Sequence, residues 1–246
     1  MRHTTLPAAA AVAALASTLA TNVGAAPACR ATSGPMPPAV VELYTSEGCS
    51  ACPPAERWLS SLTGRPGVIA LAFHVDYWDR LGWADRFASP ENTARQHAWA
   101  RQAGNGTVYT PQVLLNGQDW RGWRGGPGLA AGAAASPVRI ALTREGETVT
   151  AQVGRGPGAP ARLAGYWAVV EDGYDSPVRA GENAGATLHH DDVVRLVEPV
   201  AAWSAAAGQR LQLQVSPGVA GHPRRVVFVV TDAASGRPLQ ALALGC

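Results

Sequence analysis

The hydrophobic pattern changes character along the chain. From Val40 to about Ala135, β-branched apolar runs alternate with stretches of helical period. Val40-Val41-Glu42-Leu43-Tyr44 predicts a buried strand. Pro53 to Leu62 predicts a helix, with Ala55, Trp58, Leu59 and Leu62 on one face. Val68 to Val75 reads as a second buried strand and Thr93 to Gln102 as a helix closed by Gly104. Val113 to Leu115 reads as a third strand, ending in an Asn116-Gly117 hairpin turn, and Gly128 to Ala135 as a final small-residue helix. This order of buried strands and helices predicts an α/β layer.

From Pro137 onward the pattern is one of short strands separated by Gly, Pro and Asp clusters. Val138 to Leu142, Thr148 to Val153, Leu163 to Val170, Leu211 to Val215 and Val226 to Val230 fit an antiparallel β-rich domain, sandwich-like in type. Asp191 to Glu198 reads equally as a strand or a short helix. The expected division is a signal peptide over 1–26, an α/β domain over 38–135 and a β-rich domain over 136–246.

The first 26 residues stand outside the fold. Arg2 and His3 make a short basic start, Pro7 to Ala20 is apolar, and Val23-Gly24-Ala25 offers small residues for cleavage. The expected location is therefore secreted or periplasmic, where disulfides persist. The run is short for a membrane span, so none is expected in the mature chain. Ala26-Pro27-Ala28-Cys29 lacks the Leu of a lipoprotein cleavage box.

Composition narrows the function. Hydrophobic residues make up 47% and charged residues 15% of the 246 positions, enough for a packed core. Net charge is +2, and an even spread of it argues against a nucleic-acid partner. The chain has no Lys, which excludes Schiff-base chemistry by its own side chains.

Four cysteines are present: Cys29, Cys49, Cys52 and Cys246. Cys49-Ser50-Ala51-Cys52 follows a predicted strand and opens a predicted helix. There the helix dipole favours a thiolate at Cys49, with Cys52 shielded behind it as the resolving thiol. Bridging Cys49 to Cys52 would stabilise by only roughly 2 kcal/mol on loop entropy, against roughly 5 kcal/mol for Cys29 to Cys246. The terminal pair therefore reads as the structural disulfide and the tight pair as the chemistry, although other pairings remain open. No second C-x-x-C completes a zinc site, and no resident metal or cofactor is expected. Copper held by Cys49, Cys52 and His74 is an alternative.

Gly106 to Gly117 places Thr110-Pro111 just before a buried strand that ends in an Asn-Gly turn. A C-x-x-C on a strand-to-helix turn, followed by Thr-Pro at a later strand, resembles the thioredoxin fold. The resemblance implies a cis Pro111 facing the sulfurs, Thr110 presenting its backbone to an extended substrate, and Glu42 as a buried proton relay to Cys52. Residues 41–55, His74 to Trp83, Tyr109 to Val113 and Gly181 to Leu188 are similar to a family of exported bacterial thioredoxin-like proteins of unknown function. The implied fold class is an α/β thioredoxin-like domain followed by a β-rich C-terminal domain. Gly48 stands where ordinary thioredoxins carry a Trp, and Ser50-Ala51 also departs from their pattern.

His74, Asp76 and Trp78 follow the second strand, where ligand crevices form in open α/β sheets, and with Tyr109 they are candidate rim residues. Glu47 reads as a solvated loop residue. His189-His190-Asp191-Asp192 has metal-capable side chains, but neighbours on a strand point to opposite faces and do not converge. The expected function is an exported thiol–disulfide oxidoreductase acting on a protein or small-molecule thiol or disulfide. The alternatives are a binding module with a structural disulfide and a copper-handling protein.

Overall fold

A computed structural model of the chain describes Met1 and residues 29–125, 128–129 and 134–246. Residues 2–26 of the predicted signal peptide and residues 130–133 of the predicted Gly128–Ala135 helix lie outside those residues. Among the described residues no helix is long and apolar enough to cross a membrane.

Strand β1 (Cys29–Thr32) is followed by β2 (Ala39–Thr45), in which every residue is buried. Burial on both faces explains why β2 shows an apolar run instead of alternation. Helix α1 (Pro53–Ser60) begins with two prolines, tolerated because first-turn N–H groups have no helical acceptor. It leads to β3 (Val68–His74), a 3-10 helix over Asp76–Leu81, and α2 (Pro90–Gln102). Ser89 caps α2, its side chain accepting the Asn92 N–H at 3.2 Å. Then come β4 (Gln112–Leu115), β5 (Gln118–Asp119) and a 3-10 turn over Gly122–Gly125.

From Val138 onward the regular elements are all strands. They comprise β6 (Val138–Glu145), β7 (Thr148–Arg155), β8 (Arg162–Glu171), β9 (Tyr174–Pro177), β10 (Thr187–His190), β11 (Val193–Ser204), β12 (Gln209–Gln214), β13 (Arg224–Asp232) and β14 (Pro238–Leu244). Asp191 to Glu198, ambiguous in sequence, lies largely in β11.

The fold class differs from the expectation. Strands hold 43% of the described residues and helices 15%, so the protein is mostly β, not an α/β thioredoxin-like domain with a β-rich appendage. One sheet of eight strands, ordered β14-β13-β8-β11-β3-β2-β4-β5, runs through both halves of the chain. Its middle is the parallel pair β2–β3, and β11 joins β3 in parallel through Val193↔Ala72 while pairing antiparallel with β8 over most of its length. Local periodicity predicted β2, β3, β4, β6, β7, β8, β12 and β13 but not β1, β9, β10 or β14, and the joining of strands into one sheet depends on pairing between distant segments.

A second sheet, β1-β6-β7-β12, covers one end of the large one. Val138, Ile140 and Leu142 of β6 meet Leu163, Trp167 and Phe228 in the largest core, where the Trp167 and Phe228 rings lie 4.3 Å apart. Val41 and Leu43 face Ala55 and Leu59 of α1. Val40, Tyr44, Leu71 and Phe73 belong to another cluster, in which Trp99 of α2 packs. Odd and even positions of β2 thus serve the α1 and α2 faces respectively. At Gly165 a β-carbon would stand 2.5 Å from the Val229 carbonyl oxygen, so β8 and β13 pair there only because the residue is glycine.

Candidate functional site

The in-register pairing of β2 with β3 brings Thr45 beside His74 at the C-terminal edge of the parallel pair. The chain leaves β2 there and turns through Ser46 to Cys52. The turn is closed by Cys49 N–H to Ser46 C=O and Cys52 N–H to Cys49 C=O, both 3.1 Å. Cys49 and Cys52 are disulfide-bonded, with Cα atoms 5.4 Å apart. Cys52 is the N-cap of α1, and its carbonyl accepts the Ala55 and Glu56 N–H groups at 2.9 and 3.2 Å. Pro53 and Pro54 contribute no N–H, so any electrostatic help to a Cys49 thiolate comes from the peptide dipoles of α1.

The sulfurs are not at an open mouth. Cys49 is 1% and Cys52 0% exposed, while Ser50 and Ala51 between them face solvent. Trp78 closes one side: a β-carbon at Gly48 would lie 3.1 Å from Trp78 Cβ. Trp78 Nε1 donates to Thr110 Oγ1 at 2.8 Å, and the Thr110–Pro111 peptide is cis. On another side Asn183 Nδ2 donates to the Glu47 and Cys49 carbonyls at 2.8 and 3.0 Å. The Glu182 carboxylate accepts the Ser50 N–H and hydroxyl at 2.9 and 2.7 Å, and these two bonds lower its pKa.

Beneath this turn lies a buried polar network that links α1, β3, β10 and the loop before α2. Glu56 Oε2 is 2.6 Å from His190 Nδ1, and His190 Nε2 is 3.2 Å from Glu47 Oε1. Burial opposes charge on His190, but the two carboxylates override it and raise its pKa to about 10. Burial likewise pushes Glu56 upward, and His190 and Thr45 more than reverse that. Trp83 Nε1 donates to Glu47 Oε2 at 2.6 Å, and His74 Nδ1 lies 2.7 Å from Asp85 Oδ2. Burial pushes Asp85 upward too, yet His74 and the Glu47 and Phe87 N–H groups bring its pKa down to about 2.

The structure brings Cys49, Cys52, Trp78, Thr110 and Pro111 into one neighbourhood and sends other candidates elsewhere. Glu42 sits on the α2 face of the sheet, opposite α1, with Arg95 at 2.6 Å and Tyr166 at 2.5 Å. An even position on β2 cannot reach Cys52 on the other face, so the proton-relay expectation is corrected. Glu47 is fully buried, not solvated. His74 is fully buried too and forms no rim. Asp76 is half-buried and accepts the Thr93 hydroxyl at 2.6 Å, which ties the 3-10 helix to α2. Tyr109 donates to the Asp119 carboxylate at 2.7 Å, near the far edge of the sheet. Cys29 and Cys246 are disulfide-bonded, Cα atoms 6.3 Å apart. His189 and His190 part as alternation requires: His189 faces outward to Asp175 at 2.8 Å, and His190 faces the core.

Sequence reasoning missed Glu56, Asp85, Glu182 and Asn183. Glu56 carried a signal, since an acid one turn beyond Cys52 lies on the same helix as Ala55 and Leu59, which pack into the core. Asp85, Glu182 and Asn183 carried none, and His190 of β10, visible in sequence within the His189-His190-Asp191-Asp192 run, gave no sign that it meets Glu56 and Glu47.

Fold and site together define a mostly-β protein built on one mixed sheet, with a disulfide at the head of a short helix and buried carboxylates and imidazoles beneath it. Residues 40–231 match the family described as "Protein of unknown function (DUF1223)", and the chain belongs to that family. A crystal structure of a protein from Agrobacterium tumefaciens is similar, at 27% identity and a TM-score of 0.63, over 86% of this chain and 96% of that one. HBP35 of Porphyromonas gingivalis shares the fold at 16% identity and a TM-score of 0.59, over 85% of this chain and 74% of that one. No curated protein matches.

Proposed function

We propose that the protein is an extracytoplasmic thiol–disulfide oxidoreductase whose redox pair is Cys49 and Cys52. The observation that carries the reading is the bond between them across a single turn, beneath two side-chain latches, Trp78 to Thr110 and Glu182 to Ser50. In the reduced form the Cys49 thiolate attacks one sulfur of a substrate disulfide, forming a mixed disulfide and releasing the other sulfur as a thiolate that takes a proton from water. Cys52 then loses its proton and attacks Cys49, restoring the intramolecular disulfide and releasing the second substrate thiol. Two electrons pass to the substrate, and the reverse sequence oxidises a dithiol. Pairing of all four cysteines supports an oxidising location.

The near-complete burial of both sulfurs favours a second reading, a binding module whose disulfide is structural. One experiment separates them. Cys49 is alkylated across pH in the reduced protein, and the protein is assayed for reduction of a test disulfide protein beside Cys49→Ser. The exchange reading expects a Cys49 pKa well below the ordinary 8.5 and loss of reduction in the variant. An ordinary thiol pKa with unchanged reduction establishes the structural disulfide. The copper alternative finds no support in the geometry, because His74 turns its ring nitrogens toward Asp85, His190 and Glu56.

A further inference from the structure

Glu56, His74 and His190 arrive from α1, β3 and β10, and each brings one potential ligand atom within 4.8 Å of the other two. All three are buried. His74 Nε2, His190 Nδ1 and Glu56 Oε2 are inaccessible to water, and none has an aligned hydrogen-bond partner; His190 Nε2 and Glu47 Oε1, 3.2 Å apart, are buried and unaligned in the same way. Glu56 Oε2 and His190 Nδ1 lie 2.6 Å apart without the in-line geometry of a hydrogen bond. A buried polar atom left unpaired costs about 1–3 kcal/mol, so three converging on one point call for a common partner. An imidazolium at His190 serves the two glutamates but leaves His74 Nε2 unpaired.

The groups behind these atoms hold them in place. His74 Nδ1 is 2.7 Å from Asp85 Oδ2, which also accepts the Glu47 N–H at 2.9 Å. A proton on Nδ1 shared with a carboxylate leaves the Nε2 lone pair free, as in carboxylate–histidine–metal arrangements. His190 presents its other nitrogen to Glu47 Oε1 at 3.2 Å, and Glu56 presents its other oxygen to the Thr45 hydroxyl at 2.5 Å. We infer that Glu56, His74 and His190 bind one divalent transition-metal ion, with Asp85, Glu47 and Thr45 as the supporting groups. Two imidazoles and a carboxylate suit zinc; magnesium and calcium prefer all-oxygen sites, and copper(I) prefers sulfur. The proposal uses no cysteine and stands apart from the exchange reaction.

The test uses the full chain with both disulfides intact, stripped of metal by chelator and dialysed against zinc or cobalt(II). One ion per chain is expected, with visible cobalt bands from nitrogen and oxygen ligands and no sulfur charge-transfer band. His190→Gln and Glu56→Gln each weaken zinc binding by about 100-fold or more, and Asp85→Asn by roughly 10–100-fold. His189→Gln, which alters the outward-facing neighbour, leaves affinity unchanged. Absence of stoichiometric binding, a sulfur band, or loss of binding in His189→Gln with retention in His190→Gln overturns the inference. Should His190→Gln not fold, stoichiometry and the cobalt spectrum of the unaltered chain decide by the same criteria. Cys49→Ser/Cys52→Ser is expected to keep the ion and lose exchange, so the two proposals fail separately.

Discussion

Replacing Cys29 and Cys246 together by Ser is the sharpest probe of how the two sheets are held. Cys29 opens β1, which pairs with β6 from Cys29↔Arg144 to Thr32↔Ala141, and Cys246 lies just past the end of β14. The bond therefore clasps the edge strand of the small sheet to the edge strand of the large one. It spans a sequence separation of 217, and loop closure of that length stabilises the folded chain by about 5 kcal/mol. The Cys49–Cys52 bond spans a separation of 3 and is worth about 2 kcal/mol on the same basis. Urea unfolding of the parent and of the two double-Ser variants, at one pH and without reductant, gives both numbers. The terminal variant is expected to lose about 3 kcal/mol more than the tight-pair variant, with its thermal midpoint roughly 10–20 °C below the parent. A terminal-pair loss no larger than the tight-pair loss refutes the view that Cys29–Cys246 is the structural staple.

Three further outcomes follow from the geometry. Asp85 has an ordinary pKa of 3.8 and a native value of about 2, so the native state binds fewer protons and its contribution is full above about pH 5. That contribution, about 2 kcal/mol, is lost as pH falls from about 4 through 2; Asp85→Asn should flatten the acid limb of a stability–pH curve, and an unchanged limb contradicts the assignment. Gly165→Ala should cost about 2 kcal/mol in denaturant unfolding, because its β-carbon meets a carbonyl oxygen of the neighbouring strand at 2.5 Å; a neutral result means that β8 and β13 separate more easily than the pairing implies. Trp78→Ala removes the cover over the cysteine turn, so alkylation of Cys49 in the reduced protein should accelerate several-fold at fixed pH, whereas an unchanged rate places the barrier to access elsewhere.

Much of the site was legible locally. The C-x-x-C after a buried strand, the Pro pair that starts α1 and the Thr110–Pro111 step before β4 are all short-range features, and the structure gathers them. Glu42 misled because a buried acid on β2 is visible in sequence, while the face it serves depends on strand phase against α1 and α2. Arg95 and Tyr166, which hold Glu42, come from α2 and β8, and no local pattern announces either as a partner. Glu47 reads as solvated because its neighbours are loop residues; Trp83 and His190, from distant segments, cover and hold it.

By itself the sequence determined most of the longer strands (β2, β3, β6, β7, β8, β12 and β13), the two α-helices and the turn that brings Cys49 within bonding distance of Cys52, because each depends on residues a few positions apart. Tertiary structure alone decided that β11 joins β3 to β8 and makes one sheet of both halves, and that His190 meets Glu56, His74 and Glu47. Those outcomes depend on burial and pairing between segments more than a hundred residues apart in places, and a chain's local periodicity carries no record of which distant surface will exclude water from it.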